Sequence, residues 1–292
     1  MKPPHDALPV VRIAEARPED LGALEAYLVT RTDTCMFLRS NLRQAGLAWS
    51  GQRYGAQYML AWRGDAVVGV VAHAWSNMLL VQADEAIGEL ASAVVASSGR
   101  TVAGLSGPLE QVIAARKVLG LAEQTALLDS AEILMSLALD DLQVPRALAE
   151  GHVRGRRAME SDRDRLIAWR AAYVTELLGK QPGAELDAEA ADNIDAALAA
   201  DRIWVITDDD AIVAMSAFNA ELPDCVQIGG VYTPPALRRR GYARAAVAAS
   251  LLDARARGVR RAVLFTAGTD AEAAYRALGF VATGRFGLIF LR

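Results

Sequence analysis

The sequence predicts an α/β chain built from two similar units in tandem, and three observations predict it. The first is internal: Arg12-Ile-Ala-Glu-Ala16, running on to Asp20 and Leu24, has a counterpart in Arg154-Gly-Arg-Arg-Ala158, running on to Asp162 and Leu166. The second is a repeated hairpin plan. Tyr58-Met-Leu-Ala-Trp62, the polar turn Arg63-Gly-Asp65 and the apolar run 66–72 are echoed, at nearly the same offset, by Trp204-Val-Ile-Thr207, Asp208-Asp-Asp210 and 211–218. The third is the succession of strand-like and helix-like apolar periods through the rest of both halves. Two copies of one unit, joined between Val144-Pro145 and Gly151, account for all three; two unrelated α/β pieces of ordinary composition are the alternative that such short alignments leave open.

Taken in order, each half opens with a short strand running into a helix, with Asp20 in the first half and Asp162 or Ser161 in the second available as N-cap. After its hairpin the first half reads as helix over 85–95, strand over 101–105 and helix over 109–118, with Gly120 beyond it as a stop. The second half reads as an Ala-rich helix over 187–200, a strand over 226–233 and a helix over 241–257 closed by Gly258. A strand over 261–266, a helix over 270–278 and a final strand over 286–291, with Phe286, Leu288 and Phe290 alternating, complete it.

The 292 residues are too many for one small core and suit two domains of ordinary size. With 53% apolar and 23% charged residues the chain reads as globular and soluble, not as a disordered one. A net charge of −4, and the lack of a basic stripe with interleaved aromatics, give no reason to expect nucleic acid or an acidic membrane as a partner. Cys35 and Cys225 cannot make a disulfide framework, and residues 1–10 carry no signal-peptide pattern, so a cytoplasmic protein is expected. No apolar run approaches the roughly 20 residues of a membrane-spanning helix. His5, His73 and His152 lie far apart and no CxxC or HExxH motif joins them, so no metal site is expected.

Chemistry concentrates in Val231-Tyr-Thr-Pro-Pro-Ala-Leu-Arg-Arg-Arg-Gly-Tyr-Ala-Arg244. A strand is stopped by two prolines, which cannot donate to a sheet ladder, and three arginines and a glycine then precede an Ala-rich helix. The unpaired N–H groups and the dipole at a helix start favour an anion. Gly241 lets phosphate oxygens approach the backbone, Ala243 keeps the next contact small, and Arg238, Arg239, Arg240 and Arg244 supply charge. A solvated charge run at a helix start is the bland reading of the same arginines.

This stretch resembles the acyl-CoA-binding motif of the GNAT superfamily of N-acetyltransferases, Q/R-x-x-G-x-G/A, read here as Arg238-Arg-Arg-Gly-Tyr-Ala243. The preceding strand, ending Val231-Tyr232-Thr233, is similar to the family strand whose exposed backbone pairs with the pantetheine arm. Ala274-Tyr-Arg-Ala-Leu-Gly-Phe280 is similar to its second characteristic stretch. The whole chain resembles the tandem branch of the family. The resemblance implies two GNAT-like domains, each a mixed, mostly antiparallel twisted sheet flanked by helices. Residues 1–148 would be a degenerate copy without the phosphate loop, and 149–292 the acetyl-CoA-binding catalytic domain. It implies acetyl-CoA as cosubstrate, held by Val231, Tyr232, Thr233, Arg238, Arg239, Arg240, Gly241, Tyr242, Ala243 and Arg244, and a primary amine of a small molecule or peptide as acceptor.

Acetyl transfer to an amine needs a neutral nucleophile, a stabilised oxyanion and a protonated leaving thiol. The resemblance assigns the last role to Tyr275, on a helix that Thr269-Asp-Ala-Glu272 would open as a capping box and Gly279 would close. The backbone N–H of Val231 would meet the oxyanion. Where some relatives carry a glutamate base, this chain has Gln227, so either a water chain leads to Glu221 or Asp224 or the amine arrives neutral. Gly268 stands where many relatives have an asparagine. Transfer of a longer acyl group, or acyl-CoA sensing without turnover, are the competing readings. In the first half no arginine-glycine sequence precedes the helix, and Asp84 and Glu85 would repel a pyrophosphate. That half would be a scaffold, a wall of the acceptor cleft to which His73, Trp75 and Asn77 could belong, or a dimer surface in a homo-oligomer.

Overall fold

The computed structural model describes residues 10–292; His5 and the segment 1–9 read for a targeting signal lie outside the described residues. The elements run β1 (Arg12–Glu15), α1 (Leu21–Val29), α2 (Thr32–Ala45), β2 (Ala56–Arg63), β3 (Ala66–Ala74), β4 (Met78–Ala83), α3 (Ile87–Ser98), β5 (Gly104–Pro108), α4 (Leu109–Val118) and β6 (Ala126–Ala138). They continue with α5 (Arg146–Ala149), β7 (Arg154–Arg157), α6 (Arg163–Leu178), α7 (Ala184–Ala199), β8 (Ile203–Asp208), β9 (Ala211–Glu221), β10 (Cys225–Tyr232), α8 (Tyr242–Ala256), β11 (Arg261–Thr266), α9 (Thr269–Arg276) and β12 (Val281–Leu291).

Two compact units result. One holds the described residues up to Ala131 together with Arg285–Arg292, and the other is Glu132–Gly284. In the first, the strands stand in the order β1-β2-β3-β4-β5-β12, antiparallel throughout except for the parallel pair β4 and β5. In the second the order is β7-β8-β9-β10-β11-β6, again with one parallel pair, β10 and β11. Strand for strand the two sheets have one plan. Each takes its last strand from the other half of the sequence: Phe286–Phe290 pair with Gly104–Pro108, and Ile133–Ala138 pair with Arg261–Thr266.

The echo extends to details that the sequence hints at only weakly. Both hairpins carry a register shift just before the turn, between Ala61 and Trp62 in one and between Ile206 and Thr207 in the other. The second hairpin turns through Asp209 and Asp210, both left-handed at φ 45° and 65°, the backbone of a type I′ turn. The helix starts correct an expectation in the same way in each half. Asp20 and Asp162 do stand at the N-cap positions, but neither side chain bonds the first N–H groups of its helix. Asp20 instead reaches back to the Arg17 N–H at 2.8 Å, and Asp162 to the Met159 N–H at 2.8 Å, closing a single 3-10 turn before each helix.

Cores fill both faces of both sheets. In the first unit Leu24, Leu28, Leu38 and Leu60 pack under α1 and α2, while Val71, Leu90, Leu105, Val112 and Ile289 pack under α3 and α4. In the second, Leu166, Trp169, Ile194 and Val205 pack under α6 and α7. Val226, Ile228, Val247, Leu251, Leu264 and Phe280 pack on the opposite face, under α8. Each such side chain contributes about 1.5–3 kcal/mol on leaving water. The strand expected at 101–105 begins at Gly104 instead, because the Ala103 N–H is taken by the Asn77 carbonyl at 2.8 Å and the Thr101 carbonyl by His73 at 3.2 Å.

Candidate active site

The site is built around β10. Val226 and Ile228 point into the core under α8, so by strand alternation Gln227 points to the face covered by α6. β10 pairs with β11 only over Cys225–Gln227 against Arg261–Val263. β11 then runs on along β6 as far as Thr266, while β10 stays with β9 through two irregularities, one of them around Gly230 at φ 57°. From Ile228 to Tyr232 the edge of β10 that would face β11 has no ladder partner, which leaves N–H and C=O groups available to an extended ligand.

The loop beyond begins at Thr233 and Pro234-Pro235 and ends at Gly241, whose φ of 83° is left-handed and suits a residue without Cβ. Arg238 does not reach outward from it. Its Nη2 donates to both carboxylate oxygens of Glu176 at 2.9 and 2.7 Å, its Nε donates to the Thr233 carbonyl at 3.0 Å, and its guanidinium lies 5.8 Å from the Tyr232 ring centroid. Tyr232 is itself wedged against Trp169, with ring centroids 6.0 Å apart. The Tyr242 hydroxyl donates to the Asp208 carboxylate on the hairpin turn, which ties the first turn of α8 to the sheet. Arg239, Arg240 and Arg244 are exposed around the start of α8, where the first N–H groups have no acceptor within the helix. Val231 and Ala243 are half-buried, and Thr233 is buried with no hydrogen-bond partner for its Oγ1.

Within the first unit the equivalent region is closed. Its connection from β4 to α3 is Asp84-Glu85-Ala86, against the nine-residue stretch 233–241 in the second unit. Ala86, at φ 56°, takes the left-handed cap position that Gly241 holds. The like-charge argument needs correcting, since Asp84 is neutralised by Arg31 and Glu85 by Arg63. The obstruction is steric and polar instead. The Ala83 N–H is already bonded to Gln111 Oε1 at 2.8 Å, and β4 lies so near β5 that a Cβ on Gly107 would stand 2.4 Å from the Val81 carbonyl oxygen. His73 is fully buried with Nδ1 2.7 Å from Ser98 Oγ. Asn77 holds a turn at φ 59°, and Trp75 stacks edge-on to Tyr54 at 6.1 Å, so each has a structural setting within its own unit.

Tyr275 stands on α9, half-buried against the core under α8 and edge-on to Phe280 at 5.9 Å. Its hydroxyl has no hydrogen-bond partner among the described residues. Burial, with Tyr173 and Glu132 nearby, raises its pKa well above the usual tyrosine value, so it stays protonated. The helix is set differently at its start from the capping box expected: Gly268 is the cap, no side chain bonds there, and Glu272 pairs with Arg276 at 2.8 Å. Its end is fixed by Gly279 at φ 100°, with the Phe280 N–H on the Tyr275 carbonyl at 3.2 Å and the Gly279 N–H on Arg276 at 2.9 Å.

Facing β10 is a stripe of α6 comprising Leu166, Trp169, Arg170 and Tyr173, spaced to share one helix face. Arg170 Nε and Gln227 Nε2 are enclosed without partners. The Arg170 guanidinium lies 5.4 Å from the Tyr173 ring, and burial depresses its pKa while raising that of Tyr173. Glu132, buried on β6, raises the pKa of both Tyr173 and Tyr275. Sequence reasoning missed Arg170, Tyr173 and Glu132. The spacing of the first two on one helix stripe was a visible signal, but nothing marked residue 132 as part of the second unit. Glu221 is bound to Arg257 and lies 3.7 Å from Arg202, and Asp224 precedes β10, so both stand at the end of β10 away from the split. Among the described residues no group of three or more His, Cys, Asp or Glu side chains is placed to hold a metal, and no helix is long and apolar enough to cross a membrane.

Comparison with known proteins agrees with this geometry. Residues 166–280 match the sequence family described as the acetyltransferase (GNAT) family. No curated relative matches the chain. Among solved structures, a tandem GNAT protein from the clavulanic acid biosynthesis pathway aligns with a TM-score of 0.58 at 12% identity, covering 96% of this chain and 98% of that one. A GCN5-related N-acetyltransferase from Sphaerobacter thermophilus aligns with a TM-score of 0.57 at 16% identity, over 97% and 96%. A GCN5-related glucosamine N-acetyltransferase region in a fungal multi-domain GH3 β-N-acetylglucosaminidase aligns with a TM-score of 0.56 at 15% identity; 97% of this chain is covered but only 38% of the fungal one. The split strands, the arginine loop and the match over 166–280 lead to one conclusion: the chain has a tandem GNAT fold, in which residues 166–280 match the acetyltransferase (GNAT) family.

Proposed function

We propose that the protein transfers an acetyl group from acetyl-CoA to a primary amine, with residues 149–292 as the working domain and 1–148 as a degenerate copy that binds no cofactor. The observation that carries this reading is the parting of β10 from β11 after Gln227, beside an arginine-rich loop that ends at a helix start. The backbone of Val231, Tyr232 and Thr233 pairs with the pantetheine arm, so that its buried amides find partners. The N–H groups of Tyr242, Ala243 and Arg244 meet the pyrophosphate, Gly241 permits the approach, and Arg239, Arg240 and Arg244 supply charge. Arg238 acts through its bond to Glu176, bracing the loop.

In the reaction the amine nitrogen attacks the thioester carbonyl and the Val231 N–H accommodates the oxyanion. The carbon–sulfur bond then breaks, Tyr275 gives its proton to the departing thiolate, and the surplus amine proton passes to water and returns to Tyr275. The raised pKa of Tyr275 keeps that proton in place until the thiolate forms. The acceptor is a small molecule or peptide, and neither nucleic acid nor membrane takes part; cytoplasmic acetyl-CoA is the donor.

Titration calorimetry of acetyl-CoA into the full chain tests the reading, beside a variant carrying Arg239→Glu, Arg240→Glu and Gly241→Val. Single-site binding abolished in the variant supports it, and a folded wild-type protein that binds nothing refutes it. Gln227 in place of a carboxylate favours a second reading, acyl-CoA binding without turnover. Tyr275→Phe separates the two, because only an enzyme has turnover to lose.

A further inference from the structure

An arginine side chain deprived of both water and a counter-charge is costly, and folded proteins ordinarily pair it. Arg170, half-buried with its Nε enclosed, departs from that rule. Its Nε is enclosed and without a partner, and among the described residues its guanidinium makes no hydrogen bond or ion pair, only the 5.4 Å approach to the Tyr173 ring. Glu189 on α7, the acid whose charge it senses, is engaged with Lys180 at 2.5 Å. Other arginines of the unit are satisfied: half-buried Arg163 holds Asp195 at 2.6 Å, half-buried Arg157 holds Asp253 at 2.9 Å and exposed Arg238 holds Glu176. Arg170 thus lacks the partner that equally half-buried Arg157 and Arg163 have.

Its position says what would pair it. Arg170 lies on the α6 stripe that faces β10, one residue beyond Trp169, which packs on Tyr232, and one turn before Tyr173, which lies near Tyr275. Gln227, on the sheet face opposite, also has an enclosed Nε2 without a partner. Two orphaned donors thus stand on elements that pack against each other, α6 and β10, beside the split strands. Negative charge lies on the Tyr275 side, from Glu132.

We propose that Arg170 is the anion-binding residue of the acceptor pocket and that the acceptor is an amine bearing a carboxylate. The carboxylate pairs with Arg170 and accepts from Gln227, and the amine lies toward Glu132 and Tyr275. This inference rests on the acetyltransferase reading and narrows its acceptor class.

The test uses the full chain, acetyl-CoA and matched pairs of primary amines: α- and ω-amino acids, each beside its carboxamide, with free thiol release as the readout. The wild type should favour the carboxylate member of at least one pair by roughly 30-fold or more in kcat/KM, the usual scale for a buried charge pair. Arg170→Gln should erase that preference, Arg170→Lys should keep part of it, and neither should alter the Kd for acetyl-CoA, which also reports that the variants are folded. In the absence of any acceptor, Arg170→Met should match or exceed the wild type in Tm. Equal or better use of the carboxamides, an undiminished preference in Arg170→Gln, or no turnover of any anionic amine by a protein that binds acetyl-CoA would overturn the proposal while leaving the acetyltransferase reading standing. A wild-type protein that fails to bind acetyl-CoA removes both.

Discussion

Replacing Ile289 by alanine tests the strand exchange quantitatively. Ile289 is 3% exposed, pairs with Leu105 across the β5–β12 ladder and packs with Leu105 and Val112, so a residue that follows the whole second unit in sequence belongs to the core of the first. The substitution removes three carbons, worth about 2.4 kcal/mol at ~0.8 kcal/mol each, and leaves a cavity that brings the loss to about 3–4 kcal/mol. Against a typical domain stability of about 5–15 kcal/mol, that multiplies the open fraction of the first unit by roughly 10²–10³. Hydrogen exchange read by mass spectrometry should show faster exchange in β4, β5 and α4, some 170–210 positions away in sequence, with α8 and β11 protected as before. Faster exchange confined to residues 261–280, the sequence neighbours of the mutation, would refute the reasoning, since it would mean that β12 stabilises the unit it follows and not the one it enters.

Tyr275→Phe should lower turnover by about 10²–10⁴-fold while leaving acetyl-CoA affinity within about twofold, as read by steady-state kinetics and calorimetry. Glu176→Gln releases the partly exposed Arg238; stability should move by less than ~1 kcal/mol in denaturant titration, while acetyl-CoA binds a few-fold more weakly because the loop loses its brace. A tighter Kd in that variant would mean that Arg238 is a phosphate ligand waiting to be freed. His73 has its pKa lowered to about 4 by burial and by Arg100, against 6.5 in the unfolded chain. The unfolded state therefore binds the extra proton between those values, so the His73 contribution is complete above pH 6.5 and is lost as pH falls toward 4, by about 3 kcal/mol. Denaturation of wild type and His73→Gln at pH 7.5 and pH 4.5 should converge at the lower pH; parallel losses in both proteins would show that another group carries the dependence.

Much of the fold was legible because local patterns dictated it. The boundaries of β11 and α4 follow from apolar period and flanking glycines, and the two hairpins from polar turns between apolar runs. The arginine loop was legible for a different reason: a strand, two prolines, a glycine and a helix in that order leave few local conformations. What the sequence withheld were choices of partner. Ile133, Met135 and Leu137 alternate as they would in any strand, and nothing in that alternation says that β6 completes the sheet of the second unit. Glu132 was invisible for the same reason. Arg238 looked like a phosphate ligand because the motif names it, yet Glu176, 62 positions earlier, holds it. The capping box at Thr269 failed to form because Gly268 took the cap and Glu272 found Arg276.

The reciprocal exchange of β6 and β12 has a consequence for how the protein comes into being. On the ribosome, the first half emerges with the open edge of β5 and cannot finish its sheet until β12, some 170 residues further on, has been made and released. The second half, by contrast, finds its final strand already synthesised and waiting. A gene cut between residues 148 and 149 would therefore not yield two autonomous proteins. It would yield two fragments, each carrying the strand the other lacks, and their natural product is a complementing pair.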